Sequence, residues 1–136
     1  MAYNVGKISP IDFEKSTAVG VSLPFSGLAV FNQTYTSQEA IKTNIINFFL
    51  TGVGERYMNP TFGTRLRNLL FEQIEEAVIE DLKDTIREDM GVYFPTVDIR
   101  KLSLIAYPDY NTVAFTISYA VENTNIEDEV VINFEQ

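Results

Sequence analysis

Cysteine, histidine and tryptophan are all missing from the 136 residues. Without Cys there is no thiol nucleophile, no cysteine-ligated zinc and no disulfide scaffold. That absence fits a reducing compartment. Without His, a His-dependent catalytic triad, a histidine zinc site and a switch titrating near neutral pH are excluded. Positive charge is scarce as well: ten Lys and Arg face nineteen Asp and Glu, a net charge of -9. Duplex nucleic acid is therefore not an expected partner. The longest apolar cluster, residues 45–50, falls far short of the ~20 residues a membrane helix needs, so no membrane partner is expected. The opening MAYNVGKISPIDFEKS lacks a basic start followed by a long apolar core, so it does not read as a signal peptide. The expectation is a soluble, acidic, intracellularly made protein with no cofactor and no metal.

The chain does have material for a core. Its hydrophobic fraction is 46%, typical of a globular protein. Its length suits one domain that buries over half of its extended surface.

Residues 1–35 are weakly patterned. Two β-leaning runs, VGVSLPF and LAVFNQTY, are compatible with either an extended arm or a hairpin. Gly20 and Pro24 weaken the first run as a central strand. Thr36, with Glu39 three residues on, has the spacing of a capping box. Ile41, Ile45, Phe48 and Phe49 follow at helical spacing, predicting a helix over Ser37–Leu50 closed by Gly52. A second helix is predicted over 74–90. Ile74, Val78, Leu82, Ile86 and Met90 form its apolar stripe, which Ala77 and Ile79 widen. Glu75, Glu76, Glu80, Asp84 and Glu88 lie opposite, and Gly91 is the expected C-terminal stop. Three β runs close the chain, at Val97–Tyr107, Thr112–Val121 and 129–134. Turns at 108–111 and 123–125 separate them. Two tight turns between successive strands predict an antiparallel meander. The fold class expected is α+β, with the helices packed on one face of a small C-terminal antiparallel sheet.

Between the helices lies FFLTGVGERYMNPTFGTRLRNLLFE, residues 48–72. Gly52 and Gly54 can take positive φ, Pro60 forbids a helix through Arg56 to Asn59, and Gly63 lets the chain turn beside Phe62. Leu66, Leu69 and Leu70 return at helical spacing and, with Phe71, read as core. Three of the ten basic residues, Arg56, Arg65 and Arg67, fall within this segment. Arg56 suits a bidentate carboxylate contact, either inside the chain or across an interface.

The pattern T-x-x-G-x-R-x-M-x-P-x-F-G-x-x-L-x-x-L-L-F-E resembles the GPW-type baseplate wedge family of contractile-tailed phages. Thr51, Gly54, Arg56, Met58, Pro60, Phe62, Gly63, Leu66, Leu69, Leu70, Phe71 and Glu72 hold the matching places. The resemblance spans roughly residues 38 to 135. It divides the chain into an arm or hairpin, 1–35, and a wedge domain, 36–136. The family includes the sheath initiator of phage baseplates and a relative in type VI secretion, and its members look like the sheath-binding domain of the tail sheath subunit. The resemblance therefore implies a non-enzymatic wedge subunit in the virion's tail baseplate. It would be assembled in the host cytoplasm, in six copies, with other wedge proteins and the sheath protein as partners. Its sheet would accept sheath strands by β-augmentation.

The residues so implicated are Arg56, Pro60, Phe62 and Pro95 toward the wedge. Toward the sheath they are Val113, Phe115, Ile117, Val130, Ile132 and Phe134. Val130 to Phe134 is the favoured free edge, with the strand from Val97 as the other choice. A second family signature, Glu-Pro-Arg, reads Phe94-Pro95-Thr96 here. Both charges are absent, and Arg100 lies just downstream. Older naming calls the family lysozyme-like, so the alternative function is a cell-wall muramidase. Its only carboxylate candidates in the motif are Glu55 and Glu72. A generic acidic adaptor is a third reading.

Overall fold

The computed structural model describes residues 14, 16–23, 32–71, 75–110 and 112–135. Two short strands, β1 (Gly20–Val21) and β2 (Gln33–Thr34), pair antiparallel before the first helix, α1 (Ser37–Leu50). These strands fall in the two β-leaning runs, and the intervening 24–31, on which the choice between arm and hairpin turns, lie outside the described residues.

α1 begins where the capping residues place it. Thr36 is extended and its Oγ1 accepts the Glu39 N–H at 3.3 Å. The Glu39 carboxylate accepts the N–H of Tyr35 at 3.3 Å, one residue before the usual capping-box donor. The helix end differs from expectation. Thr51, not a glycine, closes it in an extended conformation, and its Oγ1 donates to the Asn47 carbonyl at 2.6 Å. Gly52 takes no positive φ. It forms an isolated parallel bridge with Thr64 instead.

A short 3-10 helix (Leu66–Phe71) precedes α2 (Glu76–Tyr93). Leu82, Ile86 and Met90 are buried, Val78 and Ile79 half-buried, and Ala77 is exposed and adds nothing to the stripe. The expected Ile74 start lies outside the described residues. The glycine stop is also corrected. Gly91 sits inside the helix, exposed, and α2 runs two residues further before Phe94 ends it. Pro95 sets that limit, because its ring disfavours the helical conformation in the preceding residue. The acidic outer face is solvated, with Glu80 paired to Lys83 and Asp84 to Arg87.

The chain ends in an antiparallel meander of β3 (Val97–Tyr107), β4 (Thr112–Val121) and β5 (Glu127–Glu135), with β4 in the centre. Asn123 takes φ 59 in the β4–β5 turn, a conformation Asn tolerates better than most residues. Val113, Phe115, Ile117 and Tyr119 alternate inward from β4, opposite Phe134, Ile132, Val130 and Asp128 of β5. Leu102 and Leu104 complete that face from β3. The helices cover this face, and the last turn of α1 reaches both halves of the core. Phe49 lies 4.5 Å from Phe115 between ring centroids, and Phe48 lies 5.2 Å from Phe62 and 5.6 Å from Phe94. The α+β architecture with helices on one sheet face is as the sequence pattern predicts.

Candidate interaction surfaces

The motif segment folds into a loop that hydrogen-bonds chiefly to itself. Thr64 donates its N–H to Thr51 at 2.9 Å and its hydroxyl to the Phe49 carbonyl at 3.1 Å, tying the loop's exit to the end of α1. Gly63 turns at φ +117 with its α-carbon against Thr51, where a β-carbon would collide with the Thr51 carbonyl oxygen. Gly54, at φ +91, donates to the Pro60 carbonyl at 2.8 Å. Thr61 shares a 2.7 Å hydrogen bond with the Tyr93 hydroxyl on α2. The loop is therefore braced against both helices.

Arg56 does not meet a carboxylate of the described residues. Among the described residues no ion pair involves it, and its guanidinium lies 3.9 Å from the centre of the Phe62 ring. Positive charge over an aromatic face is attracted by the ring quadrupole. Phe62 is itself buried among Phe48 and Tyr93. Arg56, Phe62, Tyr93 and Phe94 line one shallow groove of about 210 Å³. Pro60 is exposed at the loop and Pro95 at the end of α2. In place of the Glu-Pro-Arg charges, Phe94 packs edge-on against Phe48, and Thr96 accepts the Glu122 N–H at 2.8 Å. Arg100 pairs with Asp98 at 3.3 Å. Leu66 and Leu69 are core, but Phe71, expected there, is 71% exposed. In a 3-10 helix, positions three apart share a face, so Leu66 and Leu69 align and Phe71 falls outside their row. Pattern reading named Met58 only as a place in the motif and passed over Tyr57, though these two are the most exposed large apolar side chains in the molecule's described part. Their place between Gly54 and Pro60 was the available signal.

A second groove, of about 390 Å³, lies between this loop and α2. Its lining holds Arg65 and one carboxylate, Asp89, whose pKa is raised by burial and by Glu88 while Arg65 opposes the shift. Glycosidic hydrolysis uses two carboxyls across a cleft. Glu55 is exposed, away from that lining, and Glu72 lies outside the described residues. No group of three Asp or Glu among the described residues is placed to hold a metal ion. No helix there is long and apolar enough to cross a membrane.

The sheet offers a different surface. Val113, Phe115, Ile117, Val130, Ile132 and Phe134 are all buried in the core, so none is open to a partner's side chains. β4 is also flanked on both sides. What remains is edge backbone. The Val121 N–H donates to Ile126 directly opposite at 3.0 Å, which fixes the alternation of the ladder. Residues Asp128, Val130, Ile132 and Phe134 therefore bond to β4. The main-chain groups of Glu127, Val131, Asn133 and Glu135 and the Glu129 carbonyl point to the open side, where no described strand pairs with them, while the Glu129 N–H donates to the Asp128 carboxylate at 2.7 Å.

At the head of β5, Asp128 faces Lys42 of α1 at 3.1 Å. Burial pushes its carboxyl upward, but the Glu129 N–H, Lys42 and Gln38 outweigh that and hold its pKa low. Opposite it, burial drives the Tyr119 hydroxyl up to about 12, assisted by the Asp128 charge. That hydroxyl is buried without a hydrogen-bond partner among the described residues.

The model of the family described as "Baseplate wedge protein gp25" matches residues 36–126. No curated relative matches the sequence. Three solved structures share the fold. A Geobacter sulfurreducens protein named as a tail lysozyme has 22% identity and a TM-score of 0.63, over 74% of this chain and 91% of its own. A chain of a type VI secretion baseplate complex has 10% identity and a TM-score of 0.57, over 71% and 90%. A chain of the six-fold symmetrised anti-feeding prophage baseplate has 16% identity and a TM-score of 0.52, over 84% and 82%.

Proposed function

The chain belongs to the gp25 baseplate wedge family of contractile injection systems, and from that premise we propose that it nucleates the tail sheath by lending β5 as a template strand. Other baseplate proteins are its neighbours through the helices and motif loop. A terminal segment of the sheath protein then adds beside β5, in six copies around the baseplate axis.

The open side of β5 is the observation that carries this reading. An unpaired edge is normally guarded by a bulge, a proline or charge that blocks pairing. β3, the other edge, has such a guard: the register slips between Ile99 and Lys101, with Arg100 bulged out and Lys101 beside it. β5 pairs with β4 without interruption from Glu127 to Glu135, contains no proline, and keeps its charges (Glu127, Asp128, Glu129 and Glu135) at its two ends, leaving 130–134 uncharged. A preformed edge also lowers the ordering cost of the first incoming strands. Glu127, Glu129 and Glu135 lie on the outer face of β5 around an exposed Val131. A partner strand bearing Lys or Arg opposite these glutamates, with an apolar residue opposite Val131, matches that face.

The test is sheath assembly on baseplates that carry Val131→Pro. The Val131 N–H points to the open side, so proline removes an augmentation donor without breaking a β4 bond. Loss of sheath initiation with normal incorporation of the chain supports the proposal. Normal initiation refutes it.

A further inference from the structure

The motif loop uses most of its polar groups on itself and then displays two large apolar side chains. The Arg56 carbonyl accepts the Asn59 N–H at 3.3 Å, making Tyr57 and Met58 the central residues of a turn. That turn is pinned from below by the bond between Gly54 and Pro60, by the link from Thr61 to Tyr93, and by Arg56 lying on Phe62. Turn tips ordinarily carry Gly, Asn, Asp or Ser, whose conformations and hydrogen bonds suit them. Here Tyr57 is 96% exposed and Met58 91% exposed, so neither covers any of its own chain. Tyr and Met are enriched in protein–protein interfaces, and a braced loop loses little freedom when it seats.

Charge identifies the kind of socket. Between residues 51 and 71 the chain places Arg56, Arg65 and Arg67 against a single carboxylate, Glu55, within a molecule of net charge -9. The complement is an apolar recess with an acidic rim. A second copy fits poorly, because the groove beside its α2 already holds Arg65 next to Asp89. We propose that Tyr57 and Met58 form a plug that seats in an apolar socket rimmed by carboxylates on a neighbouring baseplate protein. This rests on the wedge reading above. It moves the wedge contact to the turn tip, with Phe62 and Arg56 as its internal support.

The experiment uses purified baseplates assembled with the unaltered chain, with the double variant Tyr57→Ala/Met58→Ala, and with a photo-reactive benzoylphenylalanine at position 58. Truncating two central anchors weakens association by roughly 30-fold or more. The double variant should therefore be depleted from baseplates while keeping the unaltered chain's urea midpoint and its sheath-strand binding. Arg67→Glu should lower occupancy less, and more at low salt than at high salt. Phe71→Ala, which removes an exposed aromatic away from the turn, should change nothing. The cross-link should land on a different baseplate protein, within a surface containing apolar and acidic residues. Full occupancy of the double variant overturns the proposal, as does a cross-link to a second copy of this chain or to sheath protein. Absence of the unaltered chain from baseplates would overturn the wedge reading itself, and this proposal with it.

Discussion

The motif loop and the C-terminal sheet offer opposite things to a partner. In the loop the backbone is largely satisfied internally, by Thr64 on Thr51, Gly54 on Pro60 and Asn59 on Arg56, so side chains are what it presents. In the sheet the inward side chains are consumed by the core, so the open backbone of β5 is what it presents. The loop is basic and irregular; the edge of β5 is acidic and regular. A shaped plug selects its partner by fit, whereas a strand edge takes any segment able to complete the ladder and relies on alternate side chains for register. On the proposed reading, one small protein holds two neighbours without their competing for a site. The two surfaces share one support, the last turn of α1: Phe48 packs under the loop and Phe49 on the sheet.

That shared support gives the largest expected effect. Phe48→Ala should cost about 3–5 kcal/mol in urea unfolding and weaken both surfaces together. Should one surface survive intact, the two are not coupled through α1. Gly63→Ala separates them. A side chain at φ +117 that also meets the Thr51 carbonyl should cost roughly 2 kcal/mol or more. Baseplate incorporation should fall while strand capture by β5 persists.

Tyr119→Phe acts on the sheet alone and in the opposite direction. Removing a buried hydroxyl that has no partner should raise stability by about 1 kcal/mol. It should also remove an alkaline transition. The folded-state pKa is raised to about 12, above the ordinary phenol value near 10, so the stabilisation is complete below pH 10. It is lost as pH climbs toward 12, because the unfolded chain ionises first. A stability–pH curve for the Phe variant should lack the part of the decline that Tyr119 contributes in that window.

Lys42→Ala is the smallest test, at about 0.5 kcal/mol, because the Lys42–Asp128 pair is partly solvated. Asp128 has a depressed folded pKa, so its contribution is present above the ordinary carboxylate range and lost as pH falls through the folded value. Without Lys42 that acid-side loss should shrink.

Much of the fold was legible because the punctuation is local. Thr36 and Glu39 mark the start of α1, and strict alternation from Val113 to Val121 marks the central strand. Where the sequence misled, a tertiary or geometric cause prevailed. Gly91 reads as a stop, yet nothing crowds it and Pro95 imposes the limit further on. Phe71 reads as core, yet three residues per turn rotates it outward. Of the two carboxylate contacts Arg56 suggests, the one inside the chain is replaced among the described residues by an aromatic ring. For the interaction surfaces, hydrophobic pattern identifies the inward residues of β4 and β5. Their side chains are buried in the core, and the open main-chain groups lie on the alternate residues of β5.

The most direct test is residue-resolved amide hydrogen exchange on this chain, alone and with sheath protein bound. The account predicts that the amides of Val131 and Asn133 exchange quickly in the free chain and become strongly protected on binding. Those of Val130 and Ile132, already bonded to β4, should change little. Sheath protein that binds while Val131 and Asn133 continue to exchange freely would contradict it.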